Sequence, residues 1–284
     1  MHRLRSTRTN LSYLSNEAED GPLVVCLHGF PDIPRTWGLL TEDLRDAGYH
    51  IVSPWLPGYA PSSLDGPLDP LTVARTILAL VDELSPDQPA RIVGHDWGSV
   101  VAQLAIAQWP ARFRAAALVA VPHLLAFEEN TKEHPRQLLR SAYMGLFQLP
   151  GLSARFVALR DFAVVQRLWR RWSPGFDPGD DYFDELKLCL RSSMPAPLHY
   201  YRALRSPKVI REIRGILSSG PIVVPTIYLH GERDGCVGPD IVEGQHGYFS
   251  SLFEQLILAD AGHFVHLERP TVVDEAIVKW FESH

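Results

Sequence analysis

No run of apolar residues in this chain approaches the ~18 that a membrane-spanning helix requires, so no membrane span is expected. Basic charge is not in excess either: 27 Lys and Arg stand against 33 Asp and Glu, a net charge of −6. That balance argues against a nucleic-acid partner, whose electrostatic footprint is basic. Cysteine is scarce, and Cys26, Cys189 and Cys236 are odd in number and widely spaced. They point to reduced thiols in a cytoplasmic protein more than to a disulfide framework. Histidine is plentiful at 12 residues, yet no pair has a zinc-site spacing with a matching cysteine or carboxylate, and no metal is expected. His263 and His266, three apart, read as a catalytic candidate and its neighbour. The segment from Met1 to Arg8 is basic but lacks the apolar core of a secretion signal. Internal repeats and low-complexity tracts are absent.

What is present is enough apolar material for a large core. A chain of 284 residues that is 46% hydrophobic can form one sizeable domain, or a domain carrying an insertion. Strands are expected at Leu23–Leu27, His50–Pro54, 90–93, 115–121, 226–229 and 255–258, several of them apolar throughout, as strands covered on both faces should be. Helices are expected between them at 36–47, Pro70–Leu84, 99–108 and 272–283. This alternation predicts an α/β fold with a mostly parallel sheet flanked by helices. From about Pro122 to Pro207 the strand signal stops and helix formers, aromatics and arginines take over. The expected organisation is a core of 1–122 and 207–284 with a helical cap at 123–206, inserted where ligands of such sheets bind. Arginines 155, 160, 167, 170 and 171 within it read as a solvated helix face rather than an anion site.

The most informative residues are Gly94-His95-Asp96-Trp97-Gly98. They follow an apolar strand and precede a helical run, the setting of a nucleophile elbow, in which a sharp strand-to-helix turn lifts one side chain into a site. The common form has serine at the centre. Aspartate changes the chemistry, because a carboxylate, ionised at neutral pH, attacks carbon directly and leaves a covalent ester.

Two further groups lie at other strand ends. Asp234 follows the 226–229 strand in His230-Gly231-Glu232-Arg233-Asp234-Gly235, and His263 follows the 255–258 strand in Ala261-Gly262-His263-Phe264. The chain order nucleophile, acid, histidine is that of α/β-hydrolases. Asp234 would hold the imidazole in one tautomer and stabilise its protonated form. His28-Gly29-Phe30-Pro31 ends the first buried strand, and the backbone N–H groups of Phe30 and Trp97 are expected to form an oxyanion hole. His28 itself reads as structural, and Phe30-Pro31 is a candidate cis bond.

These residues make the chain resemble the epoxide-hydrolase and haloalkane-dehalogenase group of α/β-hydrolases, in which the nucleophile is aspartate. Two cap segments refine the resemblance. Ser141 to Gly151, with Tyr143 before Phe147-Gln148-Leu149-Pro150-Gly151, is similar to the epoxide-hydrolase segment whose tyrosine precedes F-Q-x-P-G. Leu198-His199-Tyr200-Tyr201-Arg202 is similar to the segment commonly ending N-W-Y-R, with Tyr200 in the usual Trp position. The resemblance implies that Tyr143 and Tyr201 donate hydrogen bonds to an epoxide oxygen as Asp96 attacks, and that His263 then activates water to release a vicinal diol. It implies a small-molecule epoxide and water as partners, and no cofactor. Haloalkane dehalogenation is the alternative on the same triad, disfavoured because Phe30 stands where a halide-binding Asn often serves. A non-catalytic ligand-binding homologue is the remaining alternative. The loop Pro54 to Ser62 departs from the D-x-x-G-x-G-x-S pattern of relatives, which bears on pocket shape rather than on chemistry.

Overall fold

Eight strands form one sheet in the order β1-β2-β4-β3-β5-β6-β7-β8 in the computed structural model, which describes residues 3–7, 10–16, 18, 20–250 and 252–284. The strands are β1 (Arg3–Ser6), β2 (Ser12–Ser15), β3 (Leu23–Leu27), β4 (His50–Pro54), β5 (Ala90–His95), β6 (Phe113–Val119), β7 (Thr226–Gly231) and β8 (Phe253–Leu258). From β4 to β8 every pairing is parallel, while β1–β2 and β2–β4 are antiparallel. Met1, His2 and Arg8 of the basic amino-terminal segment lie outside the described residues. Among the described residues no helix is long and apolar enough to cross a membrane.

The apolar strands carry two cores at once. Successive side chains of a strand point to opposite faces, so Leu23, Val25 and Leu27 enter one core while Val24 and Cys26 enter the other. Ala116 and Leu118 of β6 likewise oppose Ala115, Ala117 and Val119. On the first face pack α2 (Pro70–Leu84) and α3 (Trp97–Gln108). On the second lie α1 (Gly38–Asp46) and the helix Pro270–Ser283. Helix α2 starts where the sequence signals it: Pro70 fixes the first turn, and the Asp69 carboxylate accepts from the N–H groups of Leu71 and Thr72 at 3.1 and 3.0 Å.

Two strands, β1 and β2, carried no readable signal. Four-residue β1 is mostly polar, and its one long apolar side chain, Leu4, is 60% exposed. Its pairing is set by β2, which docks on β4 with Tyr13 opposite Pro54, a contact made across some forty residues of chain. The edge strand β8 is only partly buried.

After β6 the chain is helical, with short 3₁₀ turns, until β7. It runs through Leu124–Glu133, Arg136–Arg140, Ala142–Phe147, Leu152–Trp172, Asp180–Ser193, His199–Ala203 and Pro207–Leu217. The longest of these bends where Leu159, Arg160, Asp161 and Phe162 leave helical geometry. Arginines 155, 160, 167, 170 and 171 are all exposed, as a solvated face would be.

Trp169 ties this helical stretch to the sheet. Its ring stacks on Phe264 at 3.5 Å between centroids, and its indole N–H donates to the Pro31 carbonyl at 3.0 Å. Tyr182 adds a hydroxyl that donates to the buried carboxylate of Asp32. Trp169→Ala removes a side chain that is 1% exposed, and it is expected to cost roughly 3–5 kcal/mol of stability. Urea denaturation checks this, and a loss below about 1 kcal/mol would mean that the stack carries little.

Candidate active site

Asp96 sits at the carboxyl end of β5 with φ +50° and ψ −117°, a conformation that L residues rarely adopt. Strain of this kind persists only where the surroundings over-determine it. Here they do. A Cβ on Gly98 would overlap the Leu27 carbonyl, and one on Gly94 would overlap the backbone of Gly98. Only glycine lets the start of α3 pass this close to β3 and β5. The result points the carboxylate of Asp96, a residue 6% exposed, away from its own helix: it makes no capping bond to α3.

The two carboxylate oxygens have different neighbours. Oδ1 accepts a hydrogen bond from the Phe30 N–H at 2.8 Å. Oδ2 lies 3.6 Å from His263 Nε2, which has no hydrogen-bond partner among the described residues. The second expected oxyanion donor is the Trp97 N–H. Trp97 is the first residue of α3, where an N–H has no partner within the helix. The Phe30-Pro31 peptide is cis. His28 is buried as a strut, its Nδ1 against the Gly29 carbonyl at 2.9 Å and its Nε2 accepting from the Leu56 N–H at 3.1 Å.

Asp234 and His263 meet although 29 residues separate them. Asp234 Oδ2 is 2.8 Å from His263 Nδ1. Its Oδ1 accepts from the N–H groups of Cys236 and Val237 at 2.6 and 2.8 Å. An ionised carboxylate can only accept, so Nδ1 carries the proton and Nε2 faces Asp96. Both residues are fully buried. Burial alone would pull the His263 pKa down, but the charge and hydrogen bond of Asp234, aided by Asp96, lift it to about 10. Burial pushes Asp234 up, and the attraction of His263 outweighs this and holds it below the ordinary carboxylate value.

The loops carrying this pair lean on the end of the Leu152–Trp172 helix. The Trp172 carbonyl accepts from both Gly235 N–H and His263 N–H at 3.0 Å, and Ser173 Oγ accepts from Phe264 N–H at 3.0 Å. A Cβ on Gly262 would strike the Ser173 backbone. This support was not visible in the sequence, because nothing in Trp172-Ser173 announces which loop it meets.

A cavity of about 310 Å³ opens onto Asp96 and Trp97. The helical stretch supplies Tyr143 and Tyr201 to its lining, β7's loop supplies Cys236, and Leu124, Leu125 and Phe127 make an apolar wall. The rings of Tyr143 and Tyr201 lie edge to face at 5.9 Å. Tyr143 Oη is 3.6 Å from Cys236 Sγ, whereas the buried Tyr201 hydroxyl has no partner among the described residues. Burial raises both phenol pKa values well above the ordinary one, so both remain proton donors. Tyr200 turns elsewhere, donating to the Pro57 carbonyl at 2.7 Å. Asp96, Trp97, Tyr143 and Tyr201 thus line one cavity, Phe30 bonds Asp96, and His263 lies between Asp96 and Asp234.

Sequence spacing missed two convergent groups. Asp32, His95 and His266 cluster beneath the site, and Asp96, Cys236 and His263 cluster within it; in each, one ligand-type atom per residue falls within 4.8 Å of the others. Their members come from separate strand ends, so no local spacing records them. In the lower group burial pushes His95 down to about 3 and His266 lower than its ordinary value, and lifts Asp32 to about 7. The histidines there are neutral packing groups at neutral pH, His95 bonding the His263 carbonyl at 3.0 Å.

The chain is similar to proteins of known name and to solved structures. The chain is 26% identical to human epoxide hydrolase 4, over 97% of this chain and 76% of that one. It is 27% identical to AB hydrolase superfamily protein YfhM of Bacillus subtilis, over 93% and 92%. The crystal structure of epoxide hydrolase A from Mycobacterium thermoresistibile superposes with a TM-score of 0.80 at 25% identity, covering 99% of this chain and 98% of the other. Residues 22–270 match the family model described as the alpha/beta hydrolase fold, and the chain belongs to that family.

Proposed function

We propose that this protein is an epoxide hydrolase that opens epoxides to vicinal diols through an ester on Asp96. The observation that carries the reading is the pair of phenol donors, Tyr143 and Tyr201, lining one apolar cavity with a carboxylate in an elbow. The names of the similar proteins support the same activity. Residues 123–206 act in this reading as the cap that brings the phenols over the core formed by 1–122 and 207–284. Three cysteines without a disulfide fit the expected cytoplasmic setting.

The two Asp96 oxygens divide the work. Oδ1 is already held by the Phe30 N–H, so the freer Oδ2 attacks an epoxide carbon. The carbon–oxygen bond breaks, and the departing oxygen takes a proton from Tyr143 or Tyr201. This donation is required because an alkoxide is a poor leaving group. His263 then takes a proton from water, and the hydroxide adds to the ester carbonyl. The oxyanion forms on Oδ1, where the Phe30 and Trp97 N–H groups serve it. Collapse returns the His263 proton to the leaving diol oxygen. The remaining water proton passes from the re-formed carboxyl to the tyrosinate.

The cheapest test is a diol assay over small, aromatic and long-chain epoxides with a haloalkane as control. Diol from at least one epoxide is expected, and halide release without any diol would reverse the assignment. Replacing both Tyr143 and Tyr201 by Phe is expected to lower kcat by roughly 10²–10⁴-fold, with each single variant less affected because one donor remains. A double variant with wild-type kcat would remove the phenols from the reaction.

The pH dependence has a definite sign. His263 is lifted to about 10 by two carboxylates, and forming the ester erases the charge of one of them. Its pKa in the ester therefore falls below that value. Ester hydrolysis needs neutral His263, so its single-turnover rate should rise with pH, with a midpoint below about 10. A midpoint unchanged between free protein and ester would show that Asp96 contributes nothing to the shift.

A further inference from the structure

We propose that Asp96, Cys236 and His263 form a binding site for a thiophilic divalent cation such as Zn²⁺, occupied in place of substrate. The three side chains each turn one ligand-type atom to within 4.8 Å of the other two. Asp96 Oδ2 and His263 Nε2 are 3.6 Å apart. Tetrahedral zinc, with bonds of ~2.0–2.3 Å, sets its ligand atoms roughly 3.3–3.7 Å apart. That pair already has the spacing, and the thiol needs to close by no more than about an ångström.

Two independent features make this more than a cysteine near a pocket. His263 is fully buried, and its Nε2 is unpartnered among the described residues and aimed into the group. Its Nδ1 is held at 2.8 Å by Asp234, the carboxylate–histidine pairing that orients a metal-binding imidazole. Asp234 also accepts from the Cys236 N–H at 2.6 Å, so one carboxylate fixes the position of two ligands. The third, Asp96, is fixed by the elbow and by Phe30 N–H.

The donor set defines the cation. One thiolate, one imidazole and one carboxylate suit Zn²⁺, Co²⁺ or Cd²⁺, whereas Mg²⁺ and Ca²⁺ prefer oxygen alone. Asp96 and Cys236 both line the cavity, which leaves a fourth position for water. Binding consumes the nucleophile and the base together and so competes with substrate. It displaces the thiol proton of Cys236 and the Nε2 proton of His263, both released to water, and leaves every oxidation state unchanged.

The test is Co²⁺ titration of the metal-free wild-type protein, read by the thiolate-to-cobalt charge-transfer band in the near ultraviolet. A saturable band of one Co²⁺ per chain, displaced by Zn²⁺, is expected. Cys236→Ser should abolish it, while Cys26→Ser and Cys189→Ser keep it. His263→Gln should weaken Co²⁺ binding at least ~10-fold. No band in the wild type, or a band surviving in folded Cys236→Ser, overturns the site. Should Cys236→Ser fail to fold, unchanged affinity in His263→Gln overturns it instead. The absorbance is independent of the epoxide reading: a band without diol from any epoxide defeats that reading and keeps the metal site. Competitive inhibition of diol formation by Zn²⁺ supports both.

Discussion

Asp96→Ala is expected to abolish diol formation, with a fall of roughly 10⁴–10⁶-fold, the scale seen when a covalent nucleophile is removed. The size follows from what remains. Without the Asp96 carboxylate the cavity keeps only Glu128 as an acid among the described residues, both of its oxygens held by the Arg214 guanidinium at 2.8 and 2.9 Å, and His263 is left beside Asp234 with nothing to hydrolyse. The change should be survivable for the fold, because alanine tolerates a tight turn better than branched residues and Gly94 and Gly98 keep their close approaches. It does not relieve the strain at φ +50°, so any stability gained should be small. Steady-state diol production and denaturation midpoints measure the two consequences separately. Wild-type turnover in this variant would falsify the covalent route. An isotope experiment sharpens the point: in ¹⁸O-water a single turnover of the wild type should label Asp96 and leave the diol unlabelled.

His263→Gln should have the opposite signature, a reaction that starts and stops. Asp96 does not need His263 to attack, so the ester forms. Its hydrolysis loses the base that takes the proton from water, a contribution of roughly 10²–10⁴-fold. The protein mass is then expected to rise by the mass of one substrate molecule and to remain raised for many wild-type turnover times. Glutamine is the useful replacement because its amide fills much of the imidazole space and is able to hydrogen bond Asp234. Alanine would leave a buried, unpaired carboxylate and confuse catalysis with stability. If no adduct accumulates while activity is lost, His263 acts before or during attack and the division of labour between the two steps is wrong.

Much of this site was legible in the chain because its parts are local. The elbow needs two glycines around one acid, and Asp234 and His263 each follow a strand that is apolar enough to recognise. Chain order did the remaining work. Four expected strands and three helices lie within a few residues of their predicted ends, and Leu23–Leu27, His50–Pro54 and Pro70–Leu84 coincide with them. The parts that escaped notice are those fixed by distant partners. Strand β1 exists because β2 pairs with it, and β2 is placed by β4. Cys236 becomes an active-site wall only after Asp234 has folded back on its amide. Trp97 shows the reverse limit: its position was readable, but whether its N–H engages Asp96 in the resting protein depends on a carboxylate rotamer that no motif encodes.

The end of the Leu152–Trp172 helix has a consequence for how such proteins can be recombined. Trp172 and Ser173 lie within the inserted helices by sequence, yet their backbone and hydroxyl brace both loops that carry the acid and the base. Exchange of the covering helices between relatives is thus constrained on its return side. A graft that replaces Trp169 to Ser173 along with the rest changes the bracing of the triad as well as the shape of the pocket. One that keeps these five residues preserves this brace, but it must also keep Gln137 and Arg140, which bond the Asp234 loop, and the phenol of Tyr143.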